Sequence, residues 1–274
     1  MMQVQSKYTV SSILLILLVV ILILEPILLG FRNLGSAVMF NFLAEDTMYY
    51  GLIANNYVKY GFPTADGENI TNGFQPFWGF LLMMIFKIFH IGLNNQLQTI
   101  FVTSAIFVTA SYSILALTLQ KIFGAKPAAM AVLSFFPGIY FLFFEPTKAS
   151  SPDPAFLYTL NPWSAINGME TPALLYLYSL LTFFVINQCF RLHKLNKPLN
   201  LAEVFRWQSR ICLLLIVFCR LEQLFFLVAI ALVTLSSLIP GTLKEKIIQL
   251  FKVLLPSFIA VSYTHLTLPT NREV

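Results

Sequence analysis

Charge is what this chain has least of. Only 11% of its 274 residues are Asp, Glu, Lys or Arg, against 58% apolar ones. A soluble domain carries about a quarter charged residues, so a water-surrounded globule is excluded as the default. Cysteine is also scarce. Cys189, Cys212 and Cys219 lie in or beside apolar segments and form no CxxC, which signals neither a disulfide framework nor a zinc site. The three histidines, His90, His193 and His265, are isolated and read as interfacial or incidental rather than as ligands. No internal repeat occurs, which weighs against a transporter built from inverted halves. The net charge of +5 is too diffuse to point to nucleic acid.

What is present is long apolar runs, among them Ile13 to Leu24 and Leu213 to Leu235, and a mean hydropathy of +0.77. Such runs predict an all-α polytopic membrane protein. Candidate spans fall at 10–29, 77–91, 98–120, 128–144, 170–190, 211–238 and 247–261. The first is too long for a signal-peptide core, and no small-x-small site precedes Glu25-Pro26. Residues 191 to 210 hold Arg191, Lys194, Lys197, Arg206 and Arg210 against Glu203 alone, which predicts a cytoplasmic loop. Residues 31 to 76 hold Glu45, Asp46, Asp66 and Glu68 against Arg32 and Lys59, which predicts a loop outside. Between them an even number of crossings is required, yet three candidates occur. Segment 77–91 is short and is the one read as re-entrant or interfacial, although Lys87 and His90 argue the other way.

Four polar clusters stand out. In the first, Glu45-Asp46-Thr47-Met48-Tyr49-Tyr50 opens a predicted amphipathic helix over 45–60, ended by Tyr60-Gly61-Phe62-Pro63. Asp46 and Tyr50 are four apart and share a face, as do Glu45 and Tyr49, while Leu52, Ile53 and Tyr57 are expected to face lipid. A chemical role for the acids and a plain acidic helix start weigh equally here. Second comes Asp66-Gly67-Glu68-Asn69-Ile70-Thr71-Asn72-Gly73-Phe74-Gln75-Pro76-Phe77-Trp78, with two turn dipeptides, Gln75 before a helix-opening Pro76, and Phe77 and Trp78 as expected interface anchors. Asn69-Ile70-Thr71 matches a glycosylation sequon. The third cluster, Asn167-Gly168-Met169-Glu170-Thr171-Pro172, places Glu170 at the outer end of its span, either as a first-turn acid or across a cavity from Asp46.

Fourth, Arg220 and Glu222 lie inside the 211–238 run, Arg220 about 13 Å along a helix from Ile211. On a continuous helix two residues apart point to nearly opposite sides, so each is expected to need its own partner, for instance Glu25, or a wet cavity. A guanidinium in such a place suits a phosphate.

Taken together, the acidic pair with Tyr-Tyr behind it, the Asp66–Trp78 block, Gly168-Met169-Glu170-Thr171-Pro172 and Arg220-Leu221-Glu222 resemble bacterial GT-C glycosyltransferases. The nearest likeness is to the family 39 group, related to protein O-mannosyltransferases and the aminoarabinose transferases of lipid A. The likeness covers residues 10 to about 261, and the Asp66–Trp78 and Gly168–Pro172 blocks are its more specific parts. It implies a GT-C-like helical bundle in the bacterial plasma membrane, multi-pass, with its active site on the outer face. It implies an inverting transfer of sugar from a polyprenyl-phosphate donor to a glycan, lipid or protein acceptor.

The family's first-loop aspartate, its catalytic base, corresponds to Asp46. The resemblance assigns Glu45 to assisting it, positioning the acceptor or holding a divalent metal; no cofactor is otherwise indicated. Arg220 is assigned to the leaving phosphate, and Tyr50, Asn72, Gln75, Glu170 and Glu222 to substrate contacts. Family members are longer. Residues 1–261 read as a truncated transmembrane domain with 31–76 as its catalytic loop. The tail from Ser262 to Val274 resembles translated adapter sequence and is expected to be non-native. Two rival readings use the same residues: a flippase or transporter for lipid-linked sugars, and a non-catalytic membrane scaffold.

Overall fold

A computed structural model describes residues 10–21, 43, 46–135, 168–197, 201–220, 222–225, 227–228 and 242–267. Glu25 and Glu45, and most of the stretch between the first two helices, lie outside these residues. Among the described residues the regular structure is helical, with no strand. The helices are α1 (Val10–Ile21), α2 (Thr47–Tyr60), α3 (Pro76–Phe89), α4 (Gln96–Phe123), α5 (Ala125–Phe135), α6 (Thr171–Lys194), α7 (Leu201–Val204), α8 (Trp207–Cys219) and α9 (Leu243–Thr267).

Their ends follow local chemistry. Gly61 stops α2 in the left-handed region at φ 84, and its N–H returns to the Tyr57 carbonyl at 2.9 Å. Pro76 holds Gln75 extended at φ −71 and ψ 123, so α3 starts at the proline. Lengths separate the helices into two groups. With 28 and 24 residues, α4 and α6 extend about 42 and 36 Å, enough to cross hydrocarbon about 30 Å thick. These two helices are long and apolar enough to cross a membrane. At 14 residues, α3 reaches only about 21 Å. The expected span 247–261 lies within α9, which contains Pro256 and runs without interruption past Ser262 to Thr267.

Packing follows the sequence order closely. Helix α2 lies on α3, α4 runs along α5 and α6, α6 along α8, and α8 against α9. The larger core joins Tyr50 and Ile53 of α2, Trp78, Leu82 and Phe86 of α3, Ile100 of α4, Leu177 of α6 and Ile216 of α8. Edge-to-face rings continue it from Trp78 to Phe107 at 5.9 Å and from Phe107 to Tyr176 at 5.3 Å. A second cluster seats Val19 of α1 and Val132 of α5 on Phe101, Ala105 and Val108 of α4.

Helix α4 buries Ser104, Ala105, Ser111 and Ala116, small residues that let backbones approach closely where apolar surroundings give no hydrophobic drive. Several of its hydroxyls return to the preceding turn, as Thr103 does to the Thr99 carbonyl at 2.7 Å. Buried Gln120 donates to Ser11 and accepts from Ser12, which pins α1 beside α4. Large apolar side chains remain on the outside, including Phe80, Met84, Ile88, Ile106 and Met130.

Three expectations are overturned here. Ile53, expected against lipid, is only 1% exposed, because α2 turns that side onto α3 and α4. Trp78, expected as an interface anchor, has no exposed surface and donates its indole N–H to the Gly168 carbonyl at 2.9 Å. The run 211–238 is not one helix, since α8 ends at Cys219 and Arg220 is extended at φ −158 and ψ 109.

Candidate functional site

Three chain segments meet at one cavity of about 550 Å³: the start of α2, the stretch leading into α3, and the start of α6, with Arg220 at its wall. Asp46, Tyr50, Asn72, Gln75, Glu170 and Arg220 all line it, and Tyr49, Gly73, Phe74, Pro76 and Met169 complete it. Most of the sequence-predicted site residues are therefore in one place. Glu222 is not among the lining residues; it is 60% exposed and pairs with Arg220. Glu45 lies outside the described residues.

Asp46 and Glu170 stand at the N-cap positions of α2 and α6, and neither side chain makes a capping hydrogen bond. Neither helix has an acid within its first turn proper, and a carboxylate at the N-cap suits the helix dipole. Both residues also line the cavity. Asp46 is exposed, and its carboxylate has no hydrogen-bond partner among the described residues. Glu170 is 4% exposed and is held from two sides. The Tyr50 hydroxyl donates to its Oε2 at 3.4 Å, and Arg220 Nη1 lies 3.7 Å from its Oε1. The same Tyr50 oxygen accepts the Gln75 backbone N–H at 3.1 Å. Burial first, then the neighbouring Glu170 charge, pushes the Tyr50 phenol well above its ordinary range, so it acts as a hydrogen-bond donor throughout neutral pH.

Arg220 corrects the expectation that it and Glu222 point apart. That expectation assumed a continuous helix. With α8 ended, the extended backbone at Arg220 brings its Nε beside Glu222 Oε1, out of line for a hydrogen bond. Its side chain is 41% exposed, so solvent screens both pairs. One guanidinium thus faces the cavity between a buried and an exposed carboxylate.

The scaffold behind the cavity uses Gly168 of the third polar cluster and Asp66 of the second. Gly168 is in the left-handed region at φ 75, and a Cβ there would meet buried Thr47 at 2.5 Å. Only glycine fits, and its carbonyl receives Trp78. Helix starts α2 and α6 are thereby locked to α3. Asp66 does not reach the cavity. Its carboxylate collects the Asn69 side chain and backbone N–H, the Glu68 N–H and the Thr64 hydroxyl. Those bonds, led by the Asn69 side chain, hold its pKa well below the ordinary carboxylate range. Asn56 ties the same turn to α2 through the Thr64 and Ala65 carbonyls at 3.0 and 3.1 Å. Tyr49 bridges to Thr71 at 3.0 Å. Tyr49 and Met169 lay within clusters already singled out, yet nothing in their spacing marked them as cavity walls.

Among the described residues no group of three His, Cys, Asp or Glu side chains is placed to hold a metal ion. No family model, no curated protein and no solved structure matches this chain.

Proposed function

We propose that this chain is an inverting membrane glycosyltransferase of the GT-C type, transferring sugar from a polyprenyl phosphate to a cell-envelope glycan, lipid or protein. The observation that carries the proposal is the convergence of Asp46, Tyr50, Asn72, Gln75, Glu170 and Arg220 on one cavity from four separate parts of the chain. Its volume of about 550 Å³ is in the range that encloses a small polar ligand. Asp46 is the base. The acceptor hydroxyl attacks the anomeric carbon, its proton passes to the Asp46 carboxylate, and the carbon–oxygen bond to phosphate breaks with its electron pair on phosphate. Arg220 lies where that growing charge is met by a guanidinium, a group suited to phosphate. Glu170 and Tyr50 hold Arg220 and the Gln75 backbone in place, and Asn72 and Gln75 supply amide contacts to sugar hydroxyls. Glu45 remains assigned to the acceptor side or to a divalent metal.

In this reading the chain crosses the bacterial plasma membrane several times, with the cavity on the outer face. Many apolar side chains on the outside of the helices support contact with lipid. Transfer of labelled sugar from a polyprenyl-phosphate donor tests the assignment. The Asp46→Asn variant should fall at least about 10²-fold while its expression is unchanged. Near-normal turnover would sink it.

A second reading draws on the break after Cys219. Interrupted helices with charged residues at the break are a mark of transporters, and Arg220 stands at such a point. A flippase would move labelled lipid-linked sugar across liposomes with no acceptor present.

A further inference from the structure

At the other end of α6, about 36 Å away along its axis, lie two further cavities that the proposed reaction leaves unused. One, of about 290 Å³, is lined by Arg191, Lys197 and Arg206, with Glu203 as its lone acid. The other, also about 290 Å³, is formed by Ile186, Cys189 and Phe190, with His193 and Lys197 at its edge. Lys197 belongs to both, so a basic hollow and an apolar one adjoin.

The cations of the basic hollow are not consumed internally. Arg191, Lys197 and Arg206 are exposed, and among the described residues none of them forms an ion pair with Glu203 or with any other carboxylate. Helix electrostatics explain Arg191 in the last turn of α6, where a cation is favoured. They do not explain Lys197, beyond the end of that helix. Nor do they explain Arg206, at the N-cap of α8, where the dipole disfavours a cation. A further cation lies at the apolar hollow: Lys121 of α4 bonds Asn187 and stacks over the Phe190 ring at 5.6 Å. Trp207, 64% exposed next to Arg206, is the kind of side chain that rests at a membrane–water boundary.

We propose that this double cavity binds an anionic phospholipid, the phosphate headgroup between Arg191, Lys197 and Arg206 and one acyl chain along Ile186, Cys189 and Phe190. Basic hollows beside membrane helices hold anionic headgroups by charge, and the adjoining apolar wall supplies what a free phosphate cannot use. The proposal does not depend on the glycosyltransferase reading, because none of these residues lines the Asp46 cavity.

Native mass spectrometry of the full chain in detergent measures it directly, with phosphatidylglycerol, phosphatidylcholine and inorganic phosphate as probes. Phosphatidylglycerol should be retained in preference to phosphatidylcholine, and inorganic phosphate should not displace it. The triple variant Arg191→Gln, Lys197→Gln, Arg206→Gln should lose at least about tenfold in phosphatidylglycerol retention. A charge-matched control, Lys59→Gln, Lys87→Gln, Lys252→Gln, should retain it, as should Arg191→Lys with Arg206→Lys, which also separates loss of charge from loss of fold. Equal loss in the control, or unchanged retention in the first triple variant, would overturn the site. Displacement by inorganic phosphate would overturn the lipid as its occupant.

Discussion

Gly168 concentrates two demands that no other residue type meets: a left-handed backbone and a neighbour, Thr47, already at contact distance. An alanine there forces apart the starts of α2 and α6 and weakens the Trp78 bond to the Gly168 carbonyl. Gly168→Ala should therefore cost about 2 kcal/mol or more, read as a lowered unfolding midpoint in detergent. Asp66 makes the complementary case, a carboxylate whose role is architectural. Its folded pKa lies below the ordinary 3.8, so the hydrogen bonds it accepts stabilise the loop fully above that value. That contribution is lost as the pH falls further, through the folded value. Protection of the Glu68 and Asn69 amides, measured against their intrinsic exchange rates, should hold down to the ordinary carboxylate range and fall below it. In Asp66→Asn this acid-dependent step should vanish. Protection already lost at neutral pH in the unaltered chain would contradict the arrangement.

Among the helices, the break after Cys219 has the largest consequence. The apolar run that contains it has neither proline nor glycine between Ile211 and Pro240, so local propensity alone favours continuing the helix. Tertiary contacts override that preference. Glu170, at the start of α6, lies beside Arg220, and the Cys219 thiol donates to the Glu170 carbonyl at 3.6 Å. The two acids near Arg220 differ in burial, and that sets their expected worth. Glu170→Ala leaves the Tyr50 hydroxyl without its acceptor and should cost about 1–3 kcal/mol. Glu222→Ala removes an exposed, screened partner and should cost less than about 1 kcal/mol. Equal losses in thermal unfolding would show that burial of Glu170 is not what holds this junction.

Across the whole molecule, the acidic cavity and the basic double cavity occupy opposite ends of α6, a helix long enough to cross a membrane. In the proposed arrangement the two ends face opposite sides. With the three native cysteines replaced, a cysteine at Glu68 should react with a membrane-impermeant reagent in intact cells. One at Lys194 should react only after permeabilisation. Reaction of both from outside would place the two ends on one face and remove the multi-pass arrangement.

Composition and residue order determined much of this in advance: the helical class of the described residues, helix ends at Gly61 and Pro76, a helix expected over 45–60 and found over 47–60, and the polar clusters that meet at the cavity. Each of these depends on local torsional preference or on the cost of a carboxylate or guanidinium among apolar residues, and both are written in consecutive positions. Three things were decided only by the tertiary structure. Ile53 and Trp78 turned inward because hydrophobicity marks a side chain for burial or for lipid without saying which. Arg220 and Glu222 paired because contacts from α6 outweighed helix propensity. Asp66 became a scaffold and Asp46 a carboxylate with no hydrogen-bond partner among the described residues because the supply of nearby N–H and hydroxyl donors, not the acid itself, separates the two, and that supply exists only once the chain has folded.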